Sequence, residues 1–281
     1  MRTKKTPKNQ KRIMSVAFFF FLVTLTFAQT GTFPAQLPKS DLQTRPEHQY
    51  QVAADYLNYD IYGNFTGKLR IAGTYTSGLD GGTARWNNVH QIRVAEEKAA
   101  FPYGEPLTYM ENFTYTYDQD ILSAEFFANF PTEAVEAKNL VWDMAGMEYF
   151  AWGHTDSLRL NVPFHAREAN TDMDLAGIGH FENRNIILTW KGMTEENGRL
   201  LAMIDYRTFN NPLGVEIDMG DRHFSTKGRS HYWGTIWLDM EQKCIDHIEL
   251  FEDVVLEIGW DDQPEKQLVD VVREMKVTKI Y

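Results

Sequence analysis

The sequence predicts an all-β protein, mainly antiparallel, in which a curved meander sheet forms an open sheet or half-barrel with one short packing helix. Hydrophobic and polar residues alternate with period two over much of residues 48–281. The strand candidates follow one another through short turns, which favours antiparallel pairing, because parallel pairs need crossovers of a dozen residues or more. Two candidate strands, 229–239 and 244–258, are long enough to twist and coil.

A secretory leader precedes the β-rich region. All six charged residues among the first twelve are basic, and an uncharged stretch rich in Phe runs from Ile13 to Phe27. Ala28 then places a small residue at the usual cleavage position. We therefore interpret residues 1–28 as a signal peptide, residues 29–47 as a flexible N-terminal linker, and residues 48–281 as a single β-rich domain. A membrane anchor is the alternative, but a spanning helix needs about 20 apolar residues.

Charge and cysteine content narrow the compartment and the partners. The chain has 28 Lys and Arg against 39 Asp and Glu, a net charge of −11, and cleavage of the basic leader makes the remainder more acidic. Nucleic acid and anionic lipid surfaces are disfavoured as partners, because both need clustered basic residues. Cys244 is the only cysteine, so the chain forms no internal disulfide. An exported chain with one thiol fits a bacterial envelope, and we expect a periplasmic or secreted protein without a transmembrane segment after cleavage.

Strand candidates lie on both sides of one helix candidate. Apolar residues from Leu140 to Ala151 recur at helical spacing, which predicts a helix over 139–152 that begins at Asn139 and ends at Gly153. Loops are expected at 77–88 and at 153–179, the second long enough for a lid or binding loop. We expect 48–129 and 181–281 to share one sheet. Strands are expected at 57–65, 69–75, 89–96, 106–118, 120–129, 186–191, 200–208, 214–218, 229–239, 244–258 and 268–279.

The hairpin of 229–239 and 244–258, joined by a polar turn at 240–243, carries an unusual face. Matching its apolar residues requires Leu238 to lie opposite Cys244 or Asp246, because a slip of one residue inverts every side chain. In the tighter of these registers His231 lies opposite Phe251. The face opposite the apolar one then carries His231, Trp233, Thr235, Trp237, His247, Glu249, Phe251 and Asp253.

Two interpretations of this face remain open. As a ligand site, Trp233 and Trp237 provide an apolar wall, and His231, His247 and Glu249 fix polar atoms of a small hydrophobic or glycan ligand. As a structural face, it packs under the helix, and the histidines pair with neighbouring acids.

Glu252 falls on the apolar face of the second strand. A buried carboxylate must be hydrogen-bonded or paired, and Arg229 or Ser230 on the neighbouring strand is the expected partner. The alternative is a general acid or base. On that alternative the candidate catalytic residues are His231, Glu252 and Asp253.

The sequence contains no motif that is typical of a cofactor site or a metal site. No zinc motif, nucleophile elbow, phosphate loop or dinucleotide fingerprint occurs in the sequence, so we expect no cofactor. Two loose groups contain metal-binding residue types without the spacing of a known site, and we expect no metal there. They are His165, Asp172, Asp174 and His180, and Asp218, Asp221 and His223.

The leading functional hypothesis is a binding or carrier protein of the cell envelope that holds a hydrophobic or amphipathic ligand. The layout is similar in outline to bacterial envelope half-barrels that wrap a curved antiparallel sheet around a helix and carry lipidic ligands, and this likeness is one of architecture. One alternative is a secreted enzyme that acts on glycans or small metabolites. Another is a structural or assembly module whose aromatic face meets another protein.

Overall fold

The computed structural model describes Leu37 and residues 46–281. Within this part of the chain, one α-helix, α1 (Val135–Trp152), lies between the fifth and sixth of fourteen strands. The strands are β1 (His48–Asp60), β2 (Phe65–Leu79), β3 (Thr83–Val94), β4 (Glu105–Pro106), β5 (Phe113–Thr116), β6 (Phe164–His165), β7 (Thr171–Asp174), β8 (Gly179–Asn183), β9 (Ile187–Glu196), β10 (Arg199–Arg207), β11 (Asn211–Met219), β12 (Arg222–Asp239), β13 (Cys244–Trp260) and β14 (Gln263–Ile280).

All fourteen strands belong to one sheet. Its main path runs β4-β3-β2-β1-β14-β13-β12-β10-β9-β6, while β5 pairs with β3, β11 with β12 and β8, and β7 with β8. Antiparallel pairing of β1 with β14 joins the two halves of the chain, so residues 48–129 and 181–281 share one sheet as expected. The path ends at β4 and β6, and the sheet stays open. The predicted curved, mainly antiparallel meander with one short helix is confirmed.

The sheet has an inner face, which packs against α1, and an outer face on its other side. Burial alternates along the long strands: Tyr232 on β12 is buried, while its neighbours His231 and Trp233 are exposed. Phe150 of α1 packs on the inner face, with its ring centroid 5.8 Å from that of Tyr206. The main hydrophobic core therefore lies between the helix and the inner face.

A close contact on the inner face depends on a glycine. Gly234 of β12 lies beneath Tyr206, whose hydroxyl donates to the Glu249 carbonyl at 3.2 Å. A Cβ at Gly234 would lie 1.9 Å from that carbonyl oxygen and 2.5 Å from the Tyr206 hydroxyl. The absence of a side chain thus lets the tyrosine cross β12 and reach β13.

The segment expected as a strand at 120–129 forms consecutive turns instead, so that prediction is wrong. Phe127 N–H donates to Ala124 O at 3.2 Å, and Phe130 N–H donates to Phe127 O at 2.8 Å. The rings of Phe126, Phe127 and Phe130 all lie within 6.3 Å of the Phe113 ring. Turns place these aromatic side chains in one cluster, whereas an extended strand would send alternate residues to opposite faces.

Several boundaries also differ from the prediction. The helix begins at Val135 rather than at Asn139. Its last residue is Trp152, and Gly153 caps it as predicted, with Gly153 N–H donating to Tyr149 O at 2.7 Å. The loop expected at 77–88 is reduced to a 3-10 turn at Asp80–Gly82, because β2 and β3 extend into it. Of the strand expected at 106–118, only two parts are extended: Pro106, which is the last residue of β4, and the four residues of β5.

The N-terminal predictions fall mostly outside the described residues. The signal peptide at 1–28 lies outside them entirely, and only Leu37, Pro46 and Glu47 of the predicted linker are described. Leu37 is 2% exposed and belongs to the hydrophobic core, so the linker contacts the domain at that position. Among the described helices, none has both the length and the apolar content needed to cross a membrane.

Packing of α1 against the sheet gives a stability prediction. Leu140 is fully buried in the core, and Leu140→Ala removes its contacts and leaves a cavity, which lowers the free energy of unfolding by about 2–5 kcal/mol. Leu160, 46% exposed, provides the matched control, because Leu160→Ala changes stability by less than about 0.5 kcal/mol. Urea denaturation followed by circular dichroism measures both. Equal effects of the two substitutions would contradict the burial of this helix face.

Candidate functional site

The register of the β12–β13 hairpin corrects part of the prediction. His231 lies opposite Asp253, so the tighter register, which paired it with Phe251, is wrong. The cause is a β-bulge at Asp246, an extra residue of β13 next to the turn. Beyond the bulge, the strands follow the looser of the two predicted registers.

The predicted ligand-binding residues Trp233, Trp237, His231, His247 and Glu249 all lie on the outer face of β12 and β13. None of them is buried, and Trp233 is 47% exposed. The interpretation that this face packs under the helix is wrong, because α1 packs on the inner face. Its expectation that a histidine pairs with a neighbouring acid is met at His247, whose Nδ1 lies 2.7 Å from Asp246 Oδ2.

Aromatic rings on the outer face form two cross-strand pairs. The ring of Trp237 stacks on that of His247, with centroids 4.1 Å apart and an angle of 18° between the planes. The rings of Trp233 and Phe251 are also near-parallel, at 6.1 Å and 23°. Burial lowers the pKa of His247 below its ordinary value, although Glu196 and Glu249 act in the opposite direction.

Polar groups flank the Trp233 ring. His231 is exposed, and its Nδ1 atom accepts a hydrogen bond from Asn210 N–H at 3.3 Å. Asp253 lies opposite His231 and close to Asp270, and partial burial together with Asp253 raises the pKa of Asp270. The outer face therefore offers donors and acceptors beside an exposed indole.

Glu252 lies on the inner face, in a buried polar cluster around Arg273. The Ser230 hydroxyl donates to Glu252 Oε1, which confirms one of the two expected partners. The other, Arg229, is on the outer face and donates to Asn210 Oδ1 at 2.6 Å. The sheet thus separates Glu252 from His231 and Asp253, so the three candidate catalytic residues do not form one site.

Arg273 is the centre of this inner cluster. Its Nε lies 2.8 Å from Glu252 Oε2, and its Nη2 donates to Asp143 Oδ1 of α1 at 2.9 Å. Arg273 is 6% exposed, so its charge is compensated by two carboxylates rather than by water. Sequence reasoning missed both Arg273 and Asp143, because their pairing spans 130 residues.

Tyrosines enclose the cluster along one cross-strand row. Tyr56, Arg273, Glu252 and Tyr232 are successive partners on β1, β14, β13 and β12. Burial raises the pKa of Tyr56 to about 12 and also raises that of Tyr232, so both remain neutral. The row places one cation and one anion among neutral phenols, and Asp143 approaches it from the helix.

Burial also raises the pKa of Asp143 to about 6, although Arg273 beside it acts in the opposite direction. Asp143 Oδ2 has no hydrogen-bond partner among residues 46–281 and Leu37. The ionised carboxylate is therefore only partly compensated in the folded protein.

Substitution of Arg273 tests whether its charge stabilises the two buried carboxylates. Arg273→Leu leaves the two carboxylates Asp143 and Glu252 buried without a counterion and lowers the free energy of unfolding by about 3–5 kcal/mol. The control is Arg70→Leu, which breaks a more exposed ion pair with Asp55 and changes stability by no more than about 1 kcal/mol. Chemical denaturation at pH 7 compares the two variants. A loss below 1 kcal/mol for Arg273→Leu would contradict the assigned role.

The raised pKa of Asp143 gives a pH dependence of defined sign. The folded protein binds this proton more tightly than the unfolded chain, whose carboxyl has its ordinary pKa of 3.8. The Asp143 contribution to the free energy of unfolding therefore falls as the pH rises from about 4 to about 6, by roughly 1–3 kcal/mol.

Asp143→Asn removes this fall, and urea denaturation between pH 4 and pH 7 measures the difference from the unmodified protein. Asp60→Asn serves as a control of opposite sign, because hydrogen bonds from Asn64 lower the pKa of Asp60. Its stabilising contribution is present at neutral pH and lost as the pH falls. An Asp143→Asn profile parallel to that of the unmodified protein would contradict the assignment.

A groove of about 940 Å³ opens on the outer face, where β8 and β11–β14 meet. Residues 177–179, at the end of the segment expected as a lid or binding loop, line one side. Its floor includes Gly214, and the ring of His180 lies across this glycine: a Cβ there would lie 2.8 Å from the His180 Cε1 atom. The outer-face side chains that line the groove include His180, Pro212, Lys227, Arg229, Val255 and Leu268.

Charged residues in the groove are partly paired. His223 and Asp218, expected as members of a loose cluster, are brought together at 2.8 Å, and this hydrogen bond raises the pKa of His223. Glu257 accepts from Lys266 beside the groove. The groove thus combines apolar surface with ionic groups of both signs.

Within the part of the chain that the structure describes, a group of residues that could hold a metal ion lies at the turn end of the β12–β13 hairpin. Ligand-type atoms of Glu196, Asp246 and His247 lie within 4.8 Å of one another. Sequence reasoning missed this group because it depends on the bulge at Asp246 and on a residue from β9. Arg199 and Tyr281 also bind Asp246, so a cation would compete there with a guanidinium.

Comparison with known proteins adds no assignment. No protein-family model matches the sequence, and no curated protein matches it. The contacts of the chain itself separate two regions: the inner cluster around Arg273, and an outer surface where apolar and polar groups are both exposed.

Proposed function

We propose that the protein is an exported binding or carrier protein of a bacterial envelope that holds an amphipathic ligand in the outer groove. The groove itself supports this most directly. Its exposed aliphatic side chains on β13 and β14 lie beside the basic side chains of Lys227 and Arg229 on β12. Concave sites that combine apolar walls with a few polar groups are typical of small-molecule binding.

The apolar part of the groove is exposed to water. Val255 is 52% exposed and Leu268 is 46% exposed, and they lie on the same face of the neighbouring strands β13 and β14. Covering such side chains is favourable by roughly 25 cal/mol per Å² of apolar surface removed from water. An alkyl or acyl chain in the groove would supply that cover.

The polar part of the groove lies beside this apolar strip. Arg229 is the cross-strand partner of Val255, and Lys227 is the partner of Glu257, whose carboxylate accepts from Lys266. A ligand with a polar end therefore finds hydrogen-bonding groups at the edge of the apolar surface. This arrangement favours an amphipathic ligand over a purely apolar one.

Two further observations favour ligand binding at the outer face over two alternatives, catalysis by the candidate acid-base residues and ligand binding between the sheet and α1. The candidate acid-base residues His231 and Asp253 lie on the opposite face from Glu252. The inner face is covered by α1, and its core side chains such as Leu140 and Ile248 are fully buried. Export is supported by the leader of residues 1–28 and by the single cysteine.

Substitution within the groove tests the proposal. Leu268→Asp places a charge on the apolar strip and weakens binding of octaethylene glycol monododecyl ether, a non-ionic single-chain amphiphile, by about tenfold or more. Leu200→Asp, at a residue 54% exposed on β10 and outside the groove lining, leaves binding unchanged. Native mass spectrometry of the mature protein, titrated below the critical micelle concentration, measures a one-to-one adduct. No adduct, or equal binding by both variants, would refute the proposal.

A further inference from the structure

The aromatic surface around Trp233 adjoins the groove on the same two strands, β12 and β13. Arg229 and Val255, a cross-strand pair, line the groove, and Trp233 and Phe251 form the pair four residues further along the same two strands. Residues with this spacing lie on the same face and about 13 Å apart, at 3.3–3.4 Å per residue. A single extended ligand of that length would span both places.

The Trp233 surface differs in chemistry from the groove. Its indole is nearly half exposed and near-parallel to the Phe251 ring. Flat aromatic faces pack well against the apolar C–H face of a sugar ring, and the groups at the rim bond its hydroxyls. Suitable rim groups are the exposed imidazole of His231, the guanidinium of Arg207 opposite Trp233, and the carboxylate of Asp253.

Charge around Trp233 selects against an anionic head group. Glu274 lies opposite Phe251, Asp253 lies opposite His231, and Glu249 lies one pair further along the outer face. The cationic side chains here are Arg207, opposite Trp233, and Lys276, opposite Glu249. Asp205, opposite Thr235, adds a fourth carboxylate, so carboxylates predominate. A phosphate would be repelled by them, whereas sugar hydroxyls donate hydrogen bonds to carboxylates.

From this continuity we infer that the ligand is a glycolipid, with its hydrocarbon chain in the groove at Val255 and Leu268 and its sugar head group on the Trp233 surface. The inference rests on the proposed binding function and adds the class of head group.

Two amphiphiles with the same dodecyl chain separate the two parts of the site. Dodecyl maltoside carries a sugar head group, and octaethylene glycol monododecyl ether carries none. The maltoside binds about tenfold more tightly than the ether below both critical micelle concentrations. Trp233→Ala removes this difference and leaves ether binding unchanged, while Leu268→Asp weakens both ligands. Tyr62→Ala, at an 83% exposed aromatic in the β1–β2 turn, is the matched control and changes neither.

The outcomes are distinct. Equal affinity for the two amphiphiles, or a maltoside preference that survives Trp233→Ala, overturns the sugar site and leaves the groove proposal standing. Absence of binding for both amphiphiles overturns both proposals. Trp233→Tyr keeps an aromatic face and retains part of the maltoside preference, while a melting curve of each variant confirms that the fold is intact. Loss of the preference with an unchanged melting curve supports the glycolipid assignment.

Discussion

The ion pairs of Arg273 tie the helix to the sheet. A guanidinium away from water needs counterions in contact with it, and here one carboxylate comes from β13 and the other from α1. Shifting β13 by one residue relative to β14 would turn Arg273 and Glu252 to opposite faces. The position of α1 and the register of the central strands are therefore set by the same buried charge.

This constraint also determines the outer face, because the two faces of a strand are not independent. Placing Tyr232 and Glu252 inward turns Trp233 and Asp253 outward. The near-parallel pair of Trp233 and Phe251 on the outer face is thus a consequence of the pairing that satisfies Arg273 on the inner face. The binding surface that we propose would thus lie on paired strands, which position side chains more precisely than loops do.

The sequence predicts the parts of this arrangement that depend on local periodicity. Alternation around Trp233 correctly places the aromatic residues on one face and Glu252 on the other. The bulge at Asp246 leaves no periodic signal, because it inserts one residue into an otherwise regular strand. Aromatic residues at 126–130 resemble a strand, yet they cluster with Phe113, and that preference depends on contacts distant in the chain. The sequence does not predict the role of Arg273 either, because its partner Asp143 is 130 residues away in the chain.

The inner cluster around Arg273 and the outer face around Trp233 differ in how much of their surface remains exposed to water. In the inner cluster the charges face each other: Arg273 contacts both Asp143 and Glu252, and burial prevents exchange with solvent. On the outer face Val255, Leu268 and Trp233 all contact water. A ligand binds favourably where it covers apolar surface that is still hydrated and reaches hydrogen-bonding groups that are still accessible. The inner carboxylates are therefore placed to stabilise the fold through Arg273, and the outer face is the surface that stays accessible for the binding we propose.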